Sequence, residues 1–198
     1  MNAYQNFLDF FSMHNKERLD GLSESYFTDM TPQERNQAFD FLLARVKAGG
    51  DEESMHGLFR ADAARAVAPV KELLASGALT GEAQIAAAWN LWQIAHDEEL
   101  LSVFIEFLHS PDEQLREKAA YYVPAELTAP LKTALQGMIR TETERLVAVH
   151  AVNKLLDCYD VSKESVGEET YLGIYRGLRS QNLEDKEAAF KTLDALYA

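Results

Sequence analysis

Residues 68–91, APVKELLASGALTGEAQIAAAWNL, decide the fold, because residues 129–152, APLKTALQGMIRTETERLVAVHAV, repeat their pattern 61 residues later without a gap. Both stretches begin with alanine, proline, an aliphatic residue and lysine. Thr80, Ser110 and Thr141 follow one another at intervals of 30 and 31 residues. A fixed period of this length in a helical chain is typical of stacked helix pairs. Such a pair cannot bury its apolar face alone, so neighbouring pairs must stack.

The rest of the chain shows the same helical periodicity. Apolar residues such as Phe39, Leu42, Leu43 and Val46 recur at the spacing of one helix face, and no alternating run of β-forming residues has a useful length. The sequence therefore predicts an all-α protein. The predicted helices span about 3–20, 31–48, 52–59, 62–76, 81–96, 98–109, 111–123, 126–139, 142–157, 165–179 and 183–197.

Helix starts are marked by capping sequences. Thr31-Pro32-Gln33-Glu34, Ser110-Pro111-Asp112-Glu113 and Thr141-Glu142-Thr143-Glu144 each fit a capping box, in which a hydroxyl and a glutamate satisfy the first free amides. In the first two, the proline takes the first helical position, where a missing N–H does no harm. Thr80 and Asn182 are further N-cap candidates.

The repeated unit resembles the HEAT repeat. Its first helix carries a proline, at Pro69 and Pro130, and a second helix carries an arginine followed by small residues, as in Leu115-Arg116-Glu117-Lys118-Ala119-Ala120. The resemblance implies one right-handed α-solenoid domain over residues 1–198, in which 62–157 match best, 165–197 match loosely and 1–59 form an atypical N-terminal helical cap. An irregular helical bundle would show the same periodicity, so the gapless alignment is the argument for a solenoid. HEAT-like repeats are mostly protein-binding platforms, although enzymes share the scaffold.

Charge restricts the partners. Nineteen lysines and arginines face thirty-two aspartates and glutamates, which gives a net charge of −13, and every quarter of the chain is acidic. A nucleic acid would be repelled, whereas a basic protein would be attracted. The N-terminal residues lack a basic stretch, and no apolar run approaches the length of a membrane span, so we expect a cytoplasmic protein. We also expect a monomer. Cys158, the one cysteine, sits beside Asp157 and Asp160, which favours an inert buried thiol.

Sequence motifs of catalysis or metal binding do not occur. The five histidines are scattered over different predicted helices, and no phosphate-binding, nucleotide-binding or nucleophile-elbow motif is present. We therefore predict no catalytic residue, no metal and no cofactor. Tyr121 and Tyr122 are expected to pack in the core rather than to serve as stacking platforms.

Candidate binding residues come from a helical projection of residues 81–96. Ala83, Ala86, Asn90, Gln93 and Asp97 share one face, Trp92 points to the opposite face and is expected in the core, and Trp89 lies at the border. In HEAT-like solenoids, the second helix of each pair lines the concave side. In the alignment at an offset of 61 residues, His150 is equivalent to Trp89 and Lys154 is equivalent to Gln93. The predicted strip comprises Trp89, Asn90, Gln93, His96, Arg116, His150, Lys154 and Asp157.

Trp89 and Arg116 of the predicted strip each have two possible roles. Trp and Arg are the residues most often found as interface anchors. Trp89 can instead seal the space between two helices, and Arg116 can instead pair with Asp112, Glu113 or a carboxylate of a neighbouring repeat.

The sequence favours a non-catalytic protein-binding module. Its size and acidity are similar to those of bacterial immunity proteins, so it can be an immunity or inhibitor protein that neutralises a basic partner through its concave face. One alternative is an enzyme on a HEAT-like scaffold, either like the DNA glycosylases, which would use Trp89 and Asp97, or like the bilin lyases. Another alternative is a structural adaptor subunit.

Overall fold

The computed structural model describes residues 2–13 and 21–197, and all regular structure in these ranges is helical. The all-α prediction is therefore confirmed. A 3₁₀ turn at Glu98–Leu100 precedes the sixth helix. The α-helices are α1 (Ala3–Phe10), α2 (Ser25–Thr28), α3 (Pro32–Lys47), α4 (Glu52–Ala75), α5 (Gly81–Ala95), α6 (Leu101–Leu108), α7 (Glu113–Tyr122), α8 (Ala129–Thr141), α9 (Arg145–Cys158), α10 (Lys163–Val166), α11 (Glu168–Leu178) and α12 (Leu183–Tyr197).

Helix boundaries agree with the sequence except near the N-terminus and in short segments. The first helix ends at Phe10 instead of residue 20, and residues 14–20 of that prediction lie outside the described residues. The one-turn helices α2 and α10 were not predicted, because four residues are too few to show a periodic pattern. The predicted break near residue 61 is real. Asp62 adopts extended backbone within α4 and its carboxylate accepts the Arg65 N–H at 3.0 Å, so it caps the second half of the helix.

The capping box at Thr31 is confirmed. The Glu34 N–H donates to Thr31 Oγ1 at 3.3 Å, and the Thr31 N–H donates to the Glu34 carboxylate at 2.8 Å. Pro32 occupies the first helical position, as expected. Asn182 also behaves as predicted, because its side-chain oxygen accepts the Glu184 N–H at 2.9 Å.

The predicted capping boxes at Ser110 and Thr141 are wrong, and the predicted N-cap at Thr80 is confirmed in position only. Asp112 caps α7 by accepting the N–H groups of the two residues that follow Glu113, so the helix starts after the Ser-Pro pair. Thr141 is the last residue of α8, and α9 starts at Arg145. Thr80 holds the N-cap position of α5, but its side chain accepts no capping bond. The even spacing of these three residues therefore does not mark equivalent helix starts.

The chain divides into two compact units, Met1–His96 and Asp97–Ala198. In the first unit, α3 packs on α4, α4 packs on α5, and α1 packs on α2 and α3. Its core is rich in aromatic side chains: Phe7 is fully buried, and its ring centroid lies 5.6 Å from those of Phe27 and Phe41. Gly57 lets the Leu22 side chain approach α4, because a Cβ there would lie 2.5 Å from Leu22 Cδ2.

In the second unit, helices pack as consecutive pairs. α6 pairs with α7 and α8 pairs with α9, and the pairs contact each other through α6 on α8 and α7 on α9. The last pair, α11 and α12, attaches through α12 on α8, where Arg140 pairs with Glu187 and Lys132 pairs with Asp194. Among the described residues, no helix combines the length and the apolarity that a membrane crossing requires.

Candidate binding surfaces

The face of α5 that the sequence predicts as polar is buried from Ala83 to Asn90 and exposed only at Gln93. Ala83, Ala86 and Asn90 are 7%, 1% and 7% exposed, so this face packs inside the first unit. Trp92 on the opposite face is also buried, which confirms its core assignment. Asn90 is therefore an almost fully buried residue and not the solvent-facing one that the projection predicts. The physical reason is that small alanines let α4 pack closely against α5.

The side-chain amide of Asn90 forms two hydrogen bonds, one of them to the His56 side chain. Its Nδ2 donates to the Ala86 carbonyl at 2.7 Å and lies 2.9 Å from His56 Nδ1 on α4. Because one amide hydrogen serves Ala86, the other donates to His56 Nδ1, which acts as the acceptor. The buried His56 Nε2 lies 3.5 Å from the Glu52 carboxylate. This pair joins α4 to α5 and accounts for a polar residue in the core.

Beside that pair, helices α4 and α5 and the nearby Glu24 enclose a groove of about 370 Å³. Trp89 is half-buried in it and meets the His56 ring edge-on, with 5.4 Å between the centroids. Gln93 is exposed at its rim, and Ile94 is 47% exposed. We name this feature the α4–α5 groove; its lining is Glu24, His56, Phe59, Arg60, Ala63, Trp89, Asn90, Gln93 and Ile94.

The α4–α5 groove has the size and composition of a pocket for one inserted side chain. Its half-buried Trp89 and exposed Ile94 offer apolar contact, while Gln93 and Arg60 supply polar groups at the edge. The structure thus brings Trp89 and Gln93 of the predicted strip together. His56 and Ile94 were missed, since each is a single residue without a pattern that marks it in the sequence.

His96 lies outside the lining of that groove. It caps the C-terminus of α5 in the left-handed backbone conformation, with φ of 47°, and is exposed. Its ring meets Trp92 edge-on at a centroid distance of 5.7 Å. Asp97, the other residue of the glycosylase-like alternative, accepts the Glu99 N–H at 3.1 Å and so caps the 3₁₀ turn.

Arg116 is held inside the second unit. Its Nε and Nη2 donate to the two oxygens of Glu142 at 2.7 and 3.2 Å, and its Nη1 donates to the carbonyls of Ser110 and Pro111. Its side chain is 19% exposed and that of Glu142 is 4% exposed. The structure therefore shows the intrachain ion pair of the second interpretation, and the partner is the carboxylate at the end of α8 in the neighbouring helix pair rather than Asp112 or Glu113.

His150 belongs to a surface formed by α7 and α9. Its Nε2 lies 3.9 Å from the Glu117 carboxylate, and its ring meets Tyr121 edge-on at 5.2 Å. Tyr121 is 58% exposed and Leu146, one turn before His150, is 52% exposed. Tyr121 was expected in the core, so this exposure corrects the sequence-based prediction. We name these four residues, Glu117, Tyr121, Leu146 and His150, the α7–α9 face.

Lys154 and Asp157 follow on α9. Lys154 is half-buried, and this burial lowers the pKa of its ammonium, while the exposed Asp157 opposes the shift. Cys158 is buried at the end of the same helix, and burial raises the pKa of its thiol to about 12. The prediction of an inert thiol is in line with this shift, because the reactive form is the thiolate.

The two surfaces therefore offer apolar and polar contact. Within residues 2–13 and 21–197, no group of three or more histidine, cysteine, aspartate or glutamate side chains is placed to hold a metal ion. In comparisons with known proteins, no family model, no curated protein and no solved structure matches this chain.

Proposed function

We propose that this chain is a non-catalytic protein-binding module whose α4–α5 groove receives an apolar side chain of its partner. The observation that carries the proposal is the half-buried Trp89 beside Ile94, which keeps 47% of its surface exposed at the groove rim. A partner that covers this large aliphatic side chain would remove its apolar surface from water, which favours binding at little conformational cost. The hydrogen-bonded pair of Asn90 and His56 belongs to the lining of the same groove.

The partner class follows from charge. The chain carries −13, and in the second unit basic side chains such as Arg116, Lys132, Arg140 and Lys163 each pair with a carboxylate of the same unit. The remaining surface is dominated by acidic groups, which accelerates association with a basic protein. An immunity or inhibitor protein for a basic target has these properties.

We further propose that the helix pairs form a HEAT-like solenoid. Support comes from the second unit, where first helices contact first helices (α6 on α8) and second helices contact second helices (α7 on α9). The attachment of α12 to α8 departs from that order, so the last pair would be an atypical end of the array.

Site-specific photo-crosslinking tests the groove. A photoreactive phenylalanine derivative replaces Gln93 at the rim, and a matched control replaces Lys71, which is exposed on α4 of the same unit. In cells that naturally make the protein, we expect a discrete crosslinked species from position 93 and none from position 71. Adding Ile94→Glu should abolish that species, because a carboxylate would have to be desolvated in the contact.

Equal crosslinking from positions 71 and 93 would contradict the proposal. So would a crosslink at position 93 that survives Ile94→Glu. Far-UV circular dichroism of each variant establishes that the helices are retained, so that a lost crosslink reports the groove and not unfolding.

A further inference from the structure

The α7–α9 face combines exposed apolar surface with carboxylates. Tyr121 and Leu146 each expose more than half of their surface, and the ring of His150, one turn after Leu146 on α9, contacts Tyr121. On α7, Glu113 and Glu117 precede Tyr121 at four-residue spacing, so the three side chains lie along one stripe of the helix. An exposed aromatic ring with carboxylates one and two turns away is the arrangement that suits a guanidinium group.

The geometry around Tyr121 fixes where such a group would lie. Tyr122 and His150 both meet the Tyr121 ring edge-on, at 5.0 and 5.2 Å, which holds the ring in place while it remains 58% exposed. The Glu117 side chain is 33% exposed and lies within 4 Å of His150. A cation stacked on the ring can therefore reach this carboxylate, and both contacts strengthen when water is displaced.

Charge complementarity selects the occupant. Residues 97–198 contain nineteen acidic and eleven basic residues. Arg116, the arginine of α7, is already paired with Glu142. Lys154 is half-buried on the neighbouring helix, and the carboxylate that favours its charged form is Asp157. The face consequently favours a cation brought by another protein.

We propose that the α7–α9 face binds an arginine of a basic protein segment, with the guanidinium on the Tyr121 ring and against Glu117, and with an apolar neighbour of that arginine on Leu146. This goes beyond the function proposed for the α4–α5 groove. It concerns a different surface and stands even if that groove binds nothing.

Titration of the full ¹⁵N-labelled chain with a short oligo-arginine peptide, followed by backbone amide shifts, tests the proposal. We expect saturable shifts centred on α7 and α9, and we expect Tyr121→Ala and Glu117→Gln each to weaken binding about threefold or more. Tyr121→Phe keeps the ring and should retain binding. An oligo-lysine peptide of equal length should bind more weakly, because it lacks the planar group.

Matched controls separate this face from general acidity. Tyr197 on α12 is 62% exposed and Glu184 on the same helix is exposed, so Tyr197→Ala and Glu184→Gln remove the same groups elsewhere in the unit. Both should leave the affinity within about twofold of the unmodified chain. Shifts spread over the acidic surface, or equal losses from Tyr121→Ala and Tyr197→Ala, would overturn the proposal.

Discussion

Two ion pairs in the second unit have the same geometry and different burial, and together they form a stability experiment. Arg116 meets Glu142 at 2.7 and 3.2 Å, with side chains 19% and 4% exposed. Arg140 meets Glu187 at 2.6 and 3.2 Å, with side chains 34% and 39% exposed. Glu142→Gln and Glu187→Gln therefore make the same chemical change in two environments.

The expected loss for Glu142→Gln is large. Glu142 Oε1 also accepts the N–H groups of Thr143 and Glu144, both at 3.0 Å, and the glutamine oxygen can keep these bonds. The glutamine NH₂ then replaces Oε2, which is the acceptor 2.7 Å from Arg116 Nε, so two donors face each other. Losing this charge-assisted bond with the guanidinium still largely buried should cost about 2–3 kcal/mol of unfolding free energy. Glu187→Gln should cost much less, because water solvates both partners there.

The pH dependence of the difference follows from the pKa of Glu142. Burial raises this pKa, but hydrogen bonds from Arg116 and from the backbone N–H groups of Glu144 and Thr143 lower it by more, so the net shift is downward. A lowered pKa in the folded state means that the stabilisation is complete above the pKa of the unfolded carboxyl and disappears as pH falls through the folded value. The gap between the unmodified chain and Glu142→Gln should therefore be constant from neutral pH to about pH 5 and shrink below about pH 4.

Urea denaturation followed by far-UV circular dichroism measures the loss, and amide hydrogen exchange in α7 and α9 locates it. Fluorescence from Trp89 and Trp92 follows the first unit in the same titration, since these are the two tryptophans of the chain. Equal losses from Glu142→Gln and Glu187→Gln would refute the assignment of a buried pair. A gap that widens on acidification would refute the direction of the pKa shift.

Three further changes are expected to give distinct results. Trp92→Ala should cost about 3–5 kcal/mol in urea denaturation, and Trp89→Ala clearly less, because only Trp92 is fully packed in the core. Gly57→Ala should lower the free energy of unfolding by about 1–3 kcal/mol, because its Cβ would lie 2.5 Å from a buried leucine methyl. Gly137→Ala should instead stabilise α8 by up to about 1 kcal/mol, because a Cβ there meets nothing within 4 Å. Cys158 should resist a thiol-specific disulfide reagent at neutral pH in the folded protein and react fully after unfolding, because its thiol pKa lies at about 12.

The local features of the fold are the ones that the sequence predicts well. Helix periodicity and the capping box at Thr31 depend on residues within one or two turns, and the sequence contains all of them. The prediction of a capping box at Ser110 is wrong for an equally local reason. Two acceptors, Ser110 and Asp112, lie two residues apart there, and the helix begins after the carboxylate, which accepts two amides.

The candidate surfaces depend on contacts between residues far apart in sequence, and here the predictions were less accurate. Arg116 finds its partner in Glu142, 26 residues away, and no spacing rule singles out that carboxylate among thirty-two acidic residues. Trp89 was correctly placed at a border, but the groove beside it requires His56 and Phe59 from α4. Periodicity assigns residues to faces; it does not say which faces another helix covers.

Helix α5 shows how such a face can be judged better. Its projection groups Asn90 with alanines, and the amide made that side resemble a solvent face. An alanine-rich face allows a neighbouring helix to approach closely, and an amide on such a face finds a partner across the contact, as Asn90 does with His56. Helix α7 instead carries Glu113 and Glu117 at four-residue spacing before Tyr121, which is 58% exposed. In this chain, the lone amide among the alanines of α5 marks a buried hydrogen bond, whereas the aromatic residue that continues the charged stripe of α7 is exposed.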